Sequence, residues 1–375
     1  MDVDAPIQMV DIYGQYLRIK DEVDAAMASV IAATSFINGP QVVRFASHLA
    51  DYLEAPYVIP CANGTDALQI ALMALGLQPG DEVIVPAFTY VATAEVIGLL
   101  GLIPVMVDVD LDNFNMSTEL LDLALSPKTR AVVPVHLFGQ CAPMEPVVTW
   151  ARRRGLFVVE DVAQALGARY KGQRAGTIGD VGCTSFFPSK NLGCFGDGGA
   201  LITKDADLHR RIKMMANHGQ QQKYIHEVLG CNSRLDTLQA AVLDVKLKYL
   251  DEYEAARNEA AQRYTLALRE VDGLICPKHE PYSTHVYHQY TLRVPDGRRD
   301  ALQRHLASFG IPSAIYYPLP LHKQKAFCSI ARASGALVNA ERLCGEVLSL
   351  PMHTELTPQM QNRIAEKIKI FFYHQ

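Results

Sequence analysis

The sequence lacks the cysteine and histidine patterns of metal centres and of disulfide-rich proteins. Its eight cysteines are scattered, and no two of them form a C-x-x-C pair. Structural metal sites and disulfide frameworks both need ligands at regular spacings. We therefore predict neither a metal site nor a disulfide framework.

The chain also lacks an excess of positive charge and any long apolar run. Lysine and arginine total 35 against 40 acidic residues, a formal net charge of −5, whereas sequence-independent binding of nucleic acids needs basic patches. No stretch approaches the roughly 18 uninterrupted apolar residues of a membrane span. The acidic start Met1-Asp2-Val3-Asp4 has no signal-peptide character. We expect a cytoplasmic protein that binds neither nucleic acid nor membranes.

The chain is long and apolar enough to bury a large core. It has 375 residues, of which 49% are hydrophobic, so two or three structural units are expected. After helices predicted at 21–33 and 41–54, short apolar runs alternate with helices, which is typical of a mostly parallel sheet covered on both faces. The predicted strands are 57–61, 82–86, 103–108, 131–136 and 156–160, and the predicted helices between them are 66–77, 91–100, 119–125 and 143–154. Such sheets bind ligands at the carboxyl ends of their strands.

The second half of the chain indicates a smaller α/β unit at its C-terminal end. The pattern predicts helices at 208–216, 235–250, 251–271 and 300–309, a strand at 287–294, and a polar loop at 218–224. We predict a large domain over residues 1–250 and a small C-terminal domain over residues 251–375.

Lys190 is the first candidate for chemistry. It follows Ser185-Phe186-Phe187-Pro188-Ser189 and precedes a glycine-rich turn. A lysine directed into a cleft there loses its proton more easily, because desolvation disfavours the charged amine, and a neutral amine attacks carbonyl groups. The alternative is a surface lysine in a loop, which is the commoner case for a lysine considered alone.

Asp161 ends the predicted strand 156–160 and stands 29 residues before Lys190. A carboxylate in that position pairs with a protonated pyridine nitrogen and keeps it cationic, as pyridoxal phosphate requires. An ordinary helix-capping aspartate is the alternative. A strand-like segment, 182–187, separates the two residues, so neighbouring strand ends would bring both to one ring.

Three further segments have candidate ligands. Gly64 and Thr65 lie between a strand and a helix start, where free N–H groups and a hydroxyl bind phosphate, with Ser185 as a second phosphate ligand; a capped helix without ligand is the alternative. Tyr90 follows another strand and either stacks on a cofactor ring or packs in the core. Arg234 either binds a substrate carboxylate or is a surface arginine.

In this order, these pieces resemble the DegT/DnrJ/EryC1 family of sugar aminotransferases over nearly the whole chain. The resemblance implies the α/β fold of aspartate aminotransferase (fold type I), with a large, mostly parallel sheet domain and a smaller C-terminal α/β domain, and pyridoxal 5'-phosphate as cofactor. The matching stretches are 36–40, 61–68, 86–94, 133–140, 160–164, 185–200, 232–241 and 316–324.

The resemblance also implies roles for individual residues. Lys190 would bind the cofactor as a Schiff base, Asp161 would contact the pyridine nitrogen and Gln164 the ring hydroxyl. Family members are homodimers with shared active sites, so Asn232 and Arg234 would act in the neighbouring subunit's site. The implied phosphate ligands are Gly64, Thr65, Ser185 and Asn232, and the implied substrate ligands are Arg234, Tyr317 and His322.

The resemblance indicates a substrate as well. Gly196-Asp197-Gly198-Gly199 is common in members that aminate carbon 3 of a nucleotide sugar, whereas Glu-Gly-Gly is common in members acting at carbon 4. The chain is most similar to enzymes that aminate UDP-linked 2-acetamido-2-deoxy-3-oxo-glucuronic acid with glutamate, in lipopolysaccharide O-antigen biosynthesis. It departs from them at Asn191, where they tend to have proline, and at Asn217, where they tend to have arginine.

Three other interpretations fit less well. Pyridoxamine-dependent sugar dehydratases of this fold have histidine at the position of Lys190. A non-catalytic cofactor-binding regulator or scaffold would need an attached DNA-binding segment or a lost lysine. A nucleotide-binding α/β protein would need a G-x-G-x-x-G after its first strand, which this sequence lacks.

Overall fold

The computed structural model describes residues 6–373. The strands are β1 (Tyr57–Cys61), β2 (Glu82–Pro86), β3 (Ile103–Val107), β4 (Thr129–Val132), β5 (Phe157–Asp161), β6 (Arg169–Tyr170), β7 (Gln173–Arg174), β8 (Val181–Ser185), β9 (Gly199–Thr203), β10 (Gln220–Gln222), β11 (Ile225–His226), β12 (Tyr290–Arg293), β13 (Arg332–Ala333) and β14 (Val347–Leu350).

Helices separate most of these strands. They are α1 (Ile12–Arg18), α2 (Lys20–Ala33), α3 (Pro40–Leu53), α4 (Gly64–Ala74), α5 (Ala92–Leu99), α6 (Leu121–Ala124), α7 (Met144–Arg152), α8 (Ala206–Met215), α9 (Thr237–Leu247), α10 (Leu250–Leu268), α11 (Arg299–Ser308), α12 (Val338–Glu346) and α13 (Pro358–Tyr373). Short 3-10 turns lie at Thr118–Leu120, Leu137–Gly139, Leu321–Lys323 and Lys325–Phe327.

The central sheet has eight strands in the order β1-β9-β8-β5-β4-β2-β3-β13. All its pairs from β8 to β13 are parallel, and β9 runs antiparallel to both β1 and β8. β2 and β9 are buried along their whole length, as expected for strands covered by helices on both faces. The predicted mostly parallel sheet is confirmed.

Two local predictions are wrong. The strand predicted at 131–136 is β4, which ends at Val132, and beyond it only a single bridge joins Val135 to Asp161; Pro134 has no N–H to continue the ladder. The segment predicted as a polar loop, 218–224, contains strand β10 and the turn of the hairpin that β10 forms with β11. Both of these strands are largely exposed, so no apolar alternation marked them in the sequence.

The C-terminal part has a core of its own. β12 and β14 form an antiparallel pair, and α10, α11 and α13 pack around it through buried residues such as Tyr264, Leu306 and Ile368. The long helix α10 begins at Leu250 and supplies part of this core. The division into domains 1–250 and 251–375 stays a prediction.

Candidate active site

Two adjacent parallel strands bring Asp161 and Lys190 to one edge of the sheet. Asp161 is the last residue of β5 and is in register with Cys183 of β8. After β8 the chain forms a loop, residues 186–198, which we call the lysine loop. Within it the N–H of Lys190 donates to the carbonyl of Phe187 at 2.8 Å, so the lysine sits on a tight turn just beyond the strand ends. The two residues thus lie near neighbouring strand ends, while their roles stay predictions.

The amine of Lys190 is poised to lose its proton. Desolvation lowers its pKa to about 8, while the nearby charge of Asp161 acts in the opposite direction. A larger fraction of this amine is therefore neutral near pH 7 than of an ordinary lysine. A neutral, partly buried amine is the form that attacks a carbonyl group.

Asp161 is held by two donors. The hydroxyl of Thr93 donates to its Oδ2 at 2.8 Å, and the N–H of Ala163 donates to its Oδ1 at 3.1 Å. Burial raises the pKa of this carboxyl, whereas Thr93, Ala163 and Lys190 oppose the rise. A cation placed against Asp161 would restore the ionised form, which is the property needed opposite a protonated pyridine nitrogen.

A buried pair behind Asp161 fixes the end of β5. The Nδ1 of His136 accepts from the N–H of Ala142 at 3.0 Å, so its Nε2 carries the hydrogen and donates to Glu160 at 3.0 Å. Glu160 also accepts from the N–H groups of Gly176 and Gly179. Although burial raises the pKa of Glu160, His136 and these N–H groups lower it overall. The sequence reasoning missed this pair and Thr93.

Ser185 lies directly against the start of α4. Asn63 caps the helix, since its Oδ1 accepts from the N–H of Asp66 at 2.8 Å. A Cβ added to Gly64 would lie 2.7 Å from the Cβ of Ser185 and 3.3 Å from its hydroxyl. Thr65 follows Gly64 in the first turn, whose N–H groups have no partner within the helix. Gly64 and Ser185, two of the predicted phosphate ligands, are therefore in close contact at this helix start, where phosphate groups bind readily.

Gln164 connects the strand edge with the segment that carries Tyr317. Its Oε1 accepts from the N–H of Phe138 at 2.7 Å, and its Nε2 donates to the hydroxyl of Tyr317 at 3.1 Å. Burial raises the pKa of Tyr317, so this hydroxyl stays protonated. The ring centroid of Tyr90 lies 6.2 Å from that of Tyr317, and Tyr90 is 56% exposed, so its ring borders open space rather than the core.

His322 lies on the same segment but already has a partner. Its Nε2 is 3.1 Å from the Oε1 of Glu341, while its Nδ1 is buried without a hydrogen bond. The N–H of Leu321 donates to the carbonyl of Ala87 at 2.9 Å, which places this segment beside the residues that follow β2.

Asn232 and Arg234 lie apart from the residues around Lys190. Asn232 forms a backbone bridge with Asn217, and the hydroxyl of Ser233 accepts from the N–H of Ala62 at 3.1 Å. Arg234 lines a cleft of about 990 Å³ together with Asn217 and Val43, and Lys190 is not among the residues that line it. The structure therefore groups Lys190, Asp161, Gln164 and Tyr317 but places Arg234 elsewhere.

His288 is a further residue that the sequence did not indicate. It is buried, and its Nδ1 has no hydrogen-bond partner. Burial and the charges of Lys190 and Arg257 lower its pKa well below the usual value. A neutral imidazole therefore lies within electrostatic range of Lys190, and no motif in the sequence marked it.

These residues fit pyridoxal 5'-phosphate. The site combines an amine of lowered pKa, a buried carboxyl for the pyridine nitrogen, and a glycine–serine cradle at a helix start. In addition, a model of the DegT/DnrJ/EryC1/StrS aminotransferase family matches residues 17–369. The chain belongs to this family. It is therefore a sugar aminotransferase that depends on pyridoxal phosphate, with the fold type I architecture expected from the sequence, and these predictions are confirmed.

Three known proteins illustrate the similarity. The chain is 47% identical over 350 residues to the UDP-2-acetamido-2-deoxy-3-oxo-D-glucuronate aminotransferase of Pseudomonas aeruginosa, covering 93% of this chain and 96% of that one. It is 43% identical to the UDP-N-acetyl-3-dehydro-alpha-D-glucosamine 3-aminotransferase of Acidithiobacillus ferrooxidans, covering 98% and 99%. A crystal structure of a family member from Brucella abortus superposes with a TM-score of 0.94 at 41% identity, covering 98% and 99%.

The described residues contain neither a candidate membrane span nor a candidate metal cluster. Within residues 6–373, no helix has the length and apolar character needed to cross a membrane. The same residues contain no group of three or more histidine, cysteine or acidic side chains arranged to hold a metal ion.

Proposed function

We propose that this aminotransferase transfers the amino group of glutamate to carbon 3 of UDP-2-acetamido-2-deoxy-3-oxo-glucuronic acid, giving the 3-amino sugar and 2-oxoglutarate. The transamination chemistry rests on Lys190, whose lowered pKa and position beside Asp161 suit covalent attachment of the cofactor. The substrate rests on Gly196-Asp197-Gly198-Gly199 and on the 47% identity to an enzyme whose name specifies this sugar.

Lys190 has two roles in this proposal. Its amine holds the cofactor at rest and, once free, moves a proton from the α-carbon of the amino donor. Asp161, supported by Thr93, keeps the pyridine nitrogen protonated, and Gln164 contacts the ring hydroxyl. The cofactor supplies the electron sink.

The remaining ligands divide between phosphate and sugar. Gly64, Thr65 and Ser185 hold the cofactor phosphate, and Tyr90 stacks on the ring. Asn232 adds a phosphate contact from a second subunit.

On the sugar side, Arg234 forms a bidentate pair with the carboxylate of the uronic acid. Tyr317 and His322 line the sugar pocket. We place Arg234 in the active site of the neighbouring subunit, because in its own chain it borders a different cleft.

The assembly proposed is a homodimer with shared active sites. Apolar side chains near that cleft support it, since Val43 is 70% exposed, Ile37 50% and Phe36 44%, and contiguous exposed apolar surface marks protein interfaces. We further propose a cytoplasmic location, supported by the lack of any long apolar run in the sequence, and a part in lipopolysaccharide O-antigen biosynthesis, which the family resemblance implies.

A substrate panel tests the proposed reaction. Purified enzyme is mixed with glutamate and, separately, with 3-keto and 4-keto nucleotide sugars, and product masses are measured. We expect the 3-keto uronic acid to gain an amine at the highest kcat/KM. A faster reaction with a neutral 3-keto sugar or with any 4-keto sugar would refute this substrate while leaving transamination intact.

Arg234→Ala tests how the sugar is recognised. Loss of a charge-assisted pair should lower kcat/KM for the uronic acid by about tenfold to a hundredfold, while the neutral analogue changes little. Arg211→Ala is the matched control, because Arg211 borders the same cleft. Equal losses on both sugars would remove the carboxylate role of Arg234.

A further inference from the structure

The base of the lysine loop is closed by its own backbone. The N–H of Phe186 donates to the carbonyl of Gly198 at 2.7 Å, and the N–H of Cys194 donates to the carbonyl of Phe186 at 2.8 Å. These bonds fix where the loop leaves and rejoins the sheet. The position of the middle of the loop, which contains Lys190, depends on the side chains that pack against it.

A buried lysine on the last turn of α9 contacts this part directly. Lys246 is 1% exposed, and its Nζ donates to the carbonyl of Gly193 at 2.6 Å. The same nitrogen lies 5.5 Å from the ring centre of Phe195. A buried amine costs free energy unless it is well partnered, and an apolar side chain would fill the space without that cost. The structure thus places a donor against a carbonyl three residues after Lys190.

Gln239 contacts the same loop from the same helix. It precedes Lys246 by seven residues, or two turns, so both side chains lie on one face of α9. Its Oε1 accepts from the N–H of Phe195 at 2.8 Å, and its Nε2 donates to the carbonyl of Phe195 at 3.2 Å. A Cβ added to Gly196 would lie 3.0 Å from this Nε2, so the loop and the helix are in close contact here.

We propose that Lys246 and Gln239 are positioning residues for Lys190, because they fix the lysine loop against α9 at Gly193 and Phe195. The inference rests on the proposed role of Lys190. The side-chain amide of Asn191 also donates to the carbonyl of Val286 at 2.9 Å, which holds the lysine loop at a further point.

The test compares two lysines at the end of α9. Lys246→Met removes the buried donor, whereas Lys248→Met is the control, because Lys248 is 61% exposed and pairs with Glu22. For the holoenzyme we measure the pH midpoint of the cofactor's visible band, amide hydrogen exchange in residues 190–196, and the single-turnover rate at which glutamate bleaches the band.

Lys246→Met should shift the titration midpoint, speed exchange in the loop and slow bleaching by about tenfold to a hundredfold, because displacements near 1 Å cost rates of that order. The half-saturating glutamate concentration should change much less than the rate. Lys248→Met should match wild type. Unchanged midpoint and bleaching rate in Lys246→Met, with only a lower Tm, would show a purely structural lysine and overturn the proposal.

Two milder variants test the positioning role if Lys246→Met does not fold. Lys246→Gln keeps an N–H donor at reduced reach, and Gln239→Met removes the Phe195 contacts; we expect smaller shifts of the same kind. Wild-type midpoints and rates in both would reject the positioning role. A wild-type enzyme without any visible band would instead refute the role of Lys190, so the two failures are distinguishable.

Discussion

The pKa values of Lys190 and Asp161 shift in opposite directions for the same physical reason. Burial disfavours charge, so it lowers the pKa of the amine to about 8 and raises that of the carboxyl. The charge of each group opposes the effect of burial on the pKa of the other, so the two titrations are coupled. A site of this kind favours a neutral nucleophile next to a carboxyl that ionises once a cation lies against it.

Replacing Lys190 by Ala should abolish the visible absorbance of the bound cofactor. Because the same amine moves the proton, turnover should fall about a thousandfold or more. Absorbance spectra and steady-state rates measure both effects. Lys204→Ala, at an exposed lysine, is the control and should behave as wild type. Substantial transamination by Lys190→Ala would contradict the assignment.

The coupling to Asp161 predicts a pH dependence. Only the neutral amine attacks the cofactor aldehyde, so the reconstitution rate of cofactor-free enzyme should rise with pH and level off above about 8, the pKa of Lys190. Since the charge of Asp161 raises that pKa, Asp161→Asn should move the plateau to lower pH. Stopped-flow absorbance measures this rate.

Asp122→Asn is the control for the pH experiment, because Asp122 is exposed and pairs with Arg154. Its profile should overlay that of the wild type. A plateau that stays in place or moves to higher pH in Asp161→Asn would show that Asp161 does not act on Lys190.

At the scale of elements, the sequence predicted strands that have a regular apolar pattern and missed or misplaced strands that lack one. Strands β1 and β2 were placed at their observed bounds because buried strands are short apolar runs. β4 was misplaced because Pro134 interrupts a run that still looks apolar. The exposed hairpin β10–β11 had no pattern to recognise, since neither of its faces is buried.

Site residues with a local sequence pattern were predicted, and those without one were missed. Asp161 was predicted because it ends a strand, and Lys190 because it follows an aromatic segment and precedes a glycine-rich turn. Thr93 and His136 were missed because their hydrogen-bond partners lie 68 and 24 residues along the chain. His288 was missed because the charge of Lys190 that acts on it comes from about a hundred residues away in sequence. Side chains that meet only through the fold leave no local spacing in the sequence.

The start of α4 provides a prediction for an element. Gly64→Ala would bring a Cβ within 2.7 Å of Ser185, so the helix start would have to shift away from Ser185. Because both residues are proposed phosphate ligands, cofactor affinity should fall about tenfold or more. Gly345→Ala is a matched helical control, because a Cβ there meets nothing within 4 Å; it should leave affinity unchanged. Equilibrium dialysis of the cofactor measures both affinities. Equal affinity in the two variants would show that Gly64 has no role in binding the cofactor phosphate.

At the scale of the whole molecule, one subunit holds the two halves of the proposed site apart. Lys190, Asp161 and Gln164 gather at the carboxyl edge of the sheet, whereas Arg234 lines the cleft beside α3 and α8. Yet α9 begins three residues after Arg234 and contacts the lysine loop through Gln239 and Lys246. A single rigid helix thus connects a subunit's own lysine with the arginine proposed to serve its neighbour.

Mixing two defective variants tests this sharing. In a dimer of Lys190→Ala with Arg234→Ala, one site would receive Lys190 from one subunit and Arg234 from the other, and would be intact. Random exchange makes half of the dimers mixed, each with one intact site of two, so activity on the uronic acid should reach about a quarter of wild type. Native mass spectrometry of differently tagged subunits verifies exchange. If both residues instead acted within one chain, no mixed dimer would contain an intact site, and activity would stay at the average of the two variants.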